Sequence, residues 1–154
     1  MKTAHDQLAQ LLSPEMIPHA ERTSMPYLGY YLLRQTICQQ LLGESEAPIL
    51  HWMGKEIGRK IEIESPQGLV FPFIRLGLGK LELVTEVMGR YGYRLTHPMF
   101  DHLPVERLGK SLSLECGILA GAISRWRGKE AHVQLEIHQA SGGKQLEARI
   151  TVKV

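Results

Sequence analysis

Seven histidines, two cysteines and a scatter of carboxylates are the residues able to do chemistry in this chain, and their spacing limits what that chemistry could be. His132 and His138 fall on one side of a strand-like run, beside Gln134 and Glu136 on its polar face, where solvent-facing histidines are expected. His97, Asp101 and His102 share the stretch HPMFDH, which matches no metal-ligand spacing. Glu115 and Cys116 adjoin in sequence and so point to different sides of a helix. An activated thiol needs a base or a positive environment; none stands near Cys116, and an inert buried thiol is expected. The run GLGK at 77–80 is too short for a phosphate loop and lacks the GxxxxGK[ST] pattern. No nucleophile elbow, dinucleotide fingerprint or paired-carboxylate frame is visible. An enzyme would need Glu115, His97 and His102 to converge in a cleft, and they are expected to stay apart. The expectation is no catalytic residue, no metal and no cofactor.

The element around which the rest is organised is KSLSLECGILAGAISRWR, residues 110–127. Leu112, Cys116, Leu119, Ile123 and Trp126 recur at spacings of three or four, an apolar stripe on a helix. Gly117, Ala120, Gly121 and Ser124 form a second stripe almost without side-chain bulk. Each glycine inside a helix costs about 1 kcal/mol relative to alanine, so something should compensate. Either another backbone packs very close, or the missing side chains leave room for a guest. A dry cavity of roughly 300 Å³ would cost about 7 kcal/mol, so a pocket there should be small or filled.

Around this helix the pattern predicts an α+β fold. A short amphipathic helix is expected over 1–12, with Leu8, Leu11 and Leu12 on one side, followed by a connection to residue 24. Ser24 is a plausible N-cap and Pro26 a first-turn residue for a helix over 26–42. Its apolar side would carry Tyr27, Tyr30, Tyr31, Ile37, Cys38, Leu41 and Leu42, and Gly43 would end it. A two-faced helix from Pro48 to about Ile61 exposes Lys55, Arg59 and Lys60. The segment GLVFPFIRLGLG predicts a short or distorted helix. Residues 80–88 and 91–97 read as strands joined at Gly89-Arg90, residues 98–109 as an irregular link, and 130–138 and 144–154 as a second strand pair. AlaSerGlyGly supplies the last turn. The architecture expected is N-terminal helices and the central Gly/Ala-rich helix on one face of a four-stranded antiparallel sheet made of two hairpins. Residues 1–24 form an N-terminal helix and connection, and 25–154 a single domain.

Composition sets outer limits. The 154 residues favour one domain, and 44% hydrophobic with 22% charged residues is ordinary for a globular one. A formal charge of +2, with lysines and arginines scattered, gives no tract for nucleic acid. Two cysteines inside helical patterns suit a reducing compartment. No signal peptide and no run of about 20 apolar residues is present, so a cytoplasmic protein without membrane insertion is expected.

The order of parts resembles the small-ligand-binding α+β fold shared by 4-vinyl reductase domains and TRAPP subunits of vesicle transport, most strongly at LECGILAGAISRWRGKEAHVQLEIH. The chain over about 25–154 is similar to the bacillar YslB family, a set of small uncharacterised cytoplasmic proteins. HWMGKEIGRKI at 51–61, GKLELVTEVMG at 79–89 and LSLECGILAG at 112–121 carry this resemblance. The last hairpin has HQASGGKQLEARI where many vinyl-reductase-type domains carry cysteines, so no metal or redox role is carried over. The resemblance implies an apolar ligand between helices and sheet. With the small-residue face, it points to a non-catalytic ligand-binding or sensing module lined by Tyr30, Cys38, Trp52, Phe73, Gly117, Ala120 and Gly121. The alternative is a protein–protein adaptor, a homodimer or the dock for another protein, motivated by the aromatic surplus at Tyr27, Tyr30 and Tyr31.

Overall fold

The computed structural model describes residues 6–24, 26–139, 142–143 and 145–154. Helices precede and separate two β-hairpins: α1 (Ile17–Arg22), α2 (Leu28–Tyr31), a π-helical turn (Leu32–Ile37), α3 (Cys38–Leu42), α4 (Glu46–Gly58), α5 (Val70–Arg75), β1 (Lys80–Val87), β2 (Arg90–Thr96), α6 (Val105–Ser111), α7 (Ser113–Arg127), β3 (His132–Gln139) and β4 (Leu146–Lys153). Short 3₁₀ turns lie at Gly43–Ser45, Pro66–Leu69 and Phe100–His102. The result is the expected α+β architecture, with a four-stranded antiparallel sheet ordered β1-β2-β4-β3.

Alternation fixes the faces of that sheet. Tyr91, Tyr93 and Leu95 on β2 and Ala148, Ile150 and Val152 on β4 turn inward and are buried in the core with Leu119 and Ile123 of α7. Gly89 makes the first hairpin turn at φ +74°, and Gly128 ends α7 in the left-handed conformation at φ +66°.

The glycine face of α7 meets α4 backbone to backbone. A Cβ on Gly54 would lie 2.9 Å from Gly117 Cα and nearer still to the Leu114 carbonyl. One on Gly58 would lie 2.8 Å from Ala122 N, and one on Gly121 2.9 Å from Lys55 Cα. Real Cβ atoms do not come so close. The pairs Gly54/Gly58 and Gly117/Gly121 therefore interlock, and this contact compensates the propensity cost of four glycines.

Several expectations are corrected. Residues 7–12 are turns, not a helix: the Asp6 carboxylate accepts from Leu8 N–H (2.8 Å), giving the backbone a local alternative to a helix. Residues 1–5 of that expected helix lie outside the described residues, as do Ala140 and Ser141 of the last turn. The 13–24 connection contains α1, and α6 begins within the 98–109 link and runs on to Ser111. Ser24 does not cap α2, whose N-cap is Tyr27 without a side-chain bond. Arg75 holds the N-terminal segment down, through Asp6 (2.8 and 2.9 Å) and Glu21 (2.6 Å).

Candidate functional site

Residues 28–42 form one continuous helical rod, and the sequence between Thr23 and Gly43 holds a single charged residue, Arg34. A surface helix normally buries its apolar stripe and exposes its charges. This rod does the reverse. Arg34 is its one buried residue, at 8% exposure, while Leu28 is 75% exposed, Leu32 49%, Leu33 58% and Leu41 78%. Leu28 and Leu32 are one helical turn apart, and Leu33, Ile37 and Leu41 continue a neighbouring row.

Apart from Tyr31, which packs against the core, what attaches the rod is polar. Arg34 Nη2 donates to both oxygens of Glu115 (2.6 and 2.5 Å) and to the Ser111 carbonyl (2.9 Å), and Nη1 donates to the Tyr30 hydroxyl (2.7 Å). Gln35 Nε2 donates to Ser111 Oγ (2.8 Å), while its Oε1 accepts from Arg107 Nε (3.1 Å). Arg107 in turn makes a bidentate pair with buried Glu46. One chain of hydrogen bonds, charge-assisted at Arg34 and Arg107, thus runs from Tyr30 through α7 and α6 to the start of α4. The π turn carries both Arg34 and Gln35; widened turns of this kind recur at functional sites.

Beneath the rod lies a cleft lined by Tyr27, Tyr30, Arg34, His97, Ser111 and Glu115, with Leu78, Phe100, Leu103, Leu108 and Leu112 around them. It is partly open to solvent and has a volume of about 20 Å³. Tyr27 packs on Tyr30 (centroids 5.1 Å apart) and on His97 (5.5 Å), which packs on Phe100 (5.7 Å), closing the rim with rings. Burial opposes the charge on Arg34, but Glu115 outweighs it and holds the guanidinium protonated. Burial lowers the pKa of His97, with Glu115 pulling weakly the other way. Burial raises that of Tyr30. Among the described residues Arg34 Nε is buried without a hydrogen-bond partner, a donor whose desolvation costs about 1–3 kcal/mol when unmet.

Of the seven residues expected to line a pocket, only Tyr30 borders this cleft. Cys38 is half-buried on the rod, Trp52 is exposed on α4, and Phe73 is wholly buried in the core. Ala120 is buried, and Gly117 and Gly121 face the α4 backbone, which leaves no room for a guest there. The seven do not come together. Glu115, His97 and His102 do not all meet: His97 and Glu115 line this cleft, while His102 borders a separate groove with Arg107 and Lys110. Cys116 is buried, and burial pushes its thiol well above the usual range, as suits an unreactive sulfur. Among the described residues no group of three His, Cys, Asp or Glu is placed to hold a metal, and no helix is long and apolar enough to cross a membrane.

Arg34, Ser111, Glu46 and Arg107 were not legible as site residues from motif spacing. The one available signal was Arg34 itself, a lone charge in a long uncharged helix.

This arrangement of helices over one face of a mixed-hairpin sheet defines an α+β domain of the kind seen in a vinyl-4-reductase family protein from Methanocaldococcus jannaschii. The two superpose with a TM-score of 0.58 at 18% identity, covering 97% of each chain. The chain belongs to the family described as protein of unknown function (DUF2507), which matches residues 27–153. It is similar to the uncharacterized protein YslB of Bacillus subtilis, with 24% identity over 107 residues, 70% of this chain and 72% of that one. A trafficking protein particle complex subunit 3 from Naegleria fowleri, covalently bound to palmitic acid, superposes with a TM-score of 0.47 at 16% identity, covering 84% of this chain and 98% of the other.

Proposed function

We propose that this chain is a non-catalytic interaction module that pairs with a second copy of itself through the outward face of the 28–42 rod. The observation that carries the reading is the inversion of that rod: Leu28, Leu32, Leu33 and Leu41 face out and its only charge faces in. At roughly 200 Å² for a large side chain, the exposed parts of Leu28, Leu32, Leu33, Leu41, Tyr27 and Tyr30 offer on the order of 600 Å². A standard interface needs about 800 Å² per partner. The face is also free of charge, as interface centres are, so an identical face meets it with no charge left unpaired. Helices that lie on membranes instead carry Lys and Arg along their polar side, and this rod has none to offer. Gly29, at the exposed end of the rod, has no atom within 4 Å of where a Cβ would sit, so nothing in the chain's own packing requires it there.

Holding an apolar guest against the central helix has less support, because the backbone of α4 occupies that position. Cysteine cross-linking tests the dimer. In a Cys38→Ser background, Leu33→Cys should give a covalent dimer with a short bis-maleimide, while Gln134→Cys on the polar sheet face should not. Equal yields at both positions, or none at Leu33→Cys, would overturn the assignment of this face.

A further inference from the structure

We propose that the end of the molecule opposite the rod docks on a membrane surface with anionic headgroups. Strand register brings the basic groups together. Val87 pairs with Arg90, Arg90 with Lys153, and Lys153 with His132, so one row crosses all four strands. The neighbouring Tyr91 and Val152 turn into the core, which points the row to the face away from the helices. Tyr91 also meets Trp126, with ring centroids 5.9 Å apart, so α7 ends here and brings Arg127 and then Lys129 to the same end. Arg90, Arg127, Lys129 and Lys153 are exposed, and among the described residues none of them has an ion-pair partner. Like charges directly opposite one another, as on Arg90 and Lys153, destabilise a sheet. The carboxylates at this end do not cancel them. Glu130 is held by Lys55 and Arg59, which leaves Glu86; even a free carboxylate at Val154 would leave the surplus positive.

The apolar part of this surface is the hairpin turn itself. Met88 is 98% exposed and Val87 65%, at the tip where Gly89 turns the chain from β1 into β2. Large apolar side chains at a tip, with unpaired cations behind them, match the layering of a lipid surface, where anionic headgroups lie over hydrocarbon. A nucleic acid offers the charge without the apolar layer. The contact is peripheral, with only Val87 and Met88 reaching the hydrocarbon boundary. It is also separate from the rod's outward face. The rod is fixed to the first turn of α7 through Glu115, and the 15 residues of that helix put its two ends about 20 Å apart.

Co-sedimentation of the full chain with vesicles tests this. The chain should pellet with mixed phosphatidylcholine/phosphatidylglycerol vesicles, stay in solution with phosphatidylcholine alone, and dissociate as salt is raised. Each basic residue removed from the surface should weaken the partition about fivefold. Lys153→Gln should therefore cost about fivefold and Arg90→Gln/Lys153→Gln about 25-fold, while Lys110→Gln, at the rod end of the molecule, should change nothing. The replaced side chains are exposed, so circular dichroism should match wild type throughout. Met88→Trp should shift its fluorescence to the blue on the mixed vesicles only. Absence of binding to the mixed vesicles, or equal losses for Lys110→Gln and Lys153→Gln, would overturn the proposal. An unshifted Met88→Trp emission on vesicles that do bind would overturn it too, since the contact would then be one that any polyanion makes.

Discussion

The central helix α7 holds two neighbours by opposite means. Against α4 it offers glycines, and the two backbones touch. Against the 28–42 rod it offers Glu115, and the contact runs through guanidinium, carboxylate, amide and hydroxyl groups. The first contact is non-directional and depends on shape; it tolerates no added atom. The second is directional and depends on each partner being present. A rod held largely by its one charge can turn Leu28, Leu32, Leu33 and Leu41 outward, with Leu42 half-buried, which a rod attached by an apolar stripe cannot do.

Removing one member of the polar contact should have the largest effect. Arg34→Met leaves the Glu115 carboxylate buried without its partner, a situation that costs about 3–5 kcal/mol. Chemical denaturation should read that loss, and the double variant Arg34→Met/Glu115→Leu should recover most of it. Next comes the shape-dependent contact. Gly58→Ala has a compatible helical backbone, but its methyl group meets backbone atoms of α7 that cannot move aside, so about 3 kcal/mol should be lost. Gly29→Ala provides the opposite case. Its new methyl group enters open space, and helix propensity alone should raise monomer stability by about 0.5–1 kcal/mol. If Gly58→Ala and Gly29→Ala behaved alike in thermal unfolding, the distinction between the two contacts would fail.

The smallest effect is pH dependence. Burial lowers the pKa of His97 and of His51 below the ordinary value near 6.5, with Lys55 adding to the effect at His51. The unfolded chain therefore binds more protons than the folded one as pH falls through that value, and stability should decline from pH 7 toward pH 5. His97→Gln should flatten part of that slope and leave the His51 share.

Much of the fold was legible because its signals are periodic. The alternation of Val133, Leu135 and Ile137 and of Ala148, Ile150 and Val152 defines strand faces, and the two stripes of α7 define a helix with one bulky and one bare side. The partner of the bare side was not legible, because Gly54 and Gly58 lie about 60 residues away and nothing local marks their pairing. The rod misled for a different reason. Its leucines and tyrosines satisfy a helical period whichever way they face, and only the tertiary pairing of Arg34 with Glu115 decides that they face out. The short helices α1 and α6 sit in Pro-containing stretches whose local signals favour loops, and tertiary contacts override them.

Sedimentation velocity over a concentration series tests the central claim most directly, comparing the native chain with Leu28→Asp/Leu33→Asp. The native chain should sediment as a species of twice the 17.4 kDa chain mass, and the variant as a monomer with unchanged circular dichroism. A native chain that stays monomeric at high concentration, or a variant that still forms the dimer, would contradict the reading of the rod as a self-docking face.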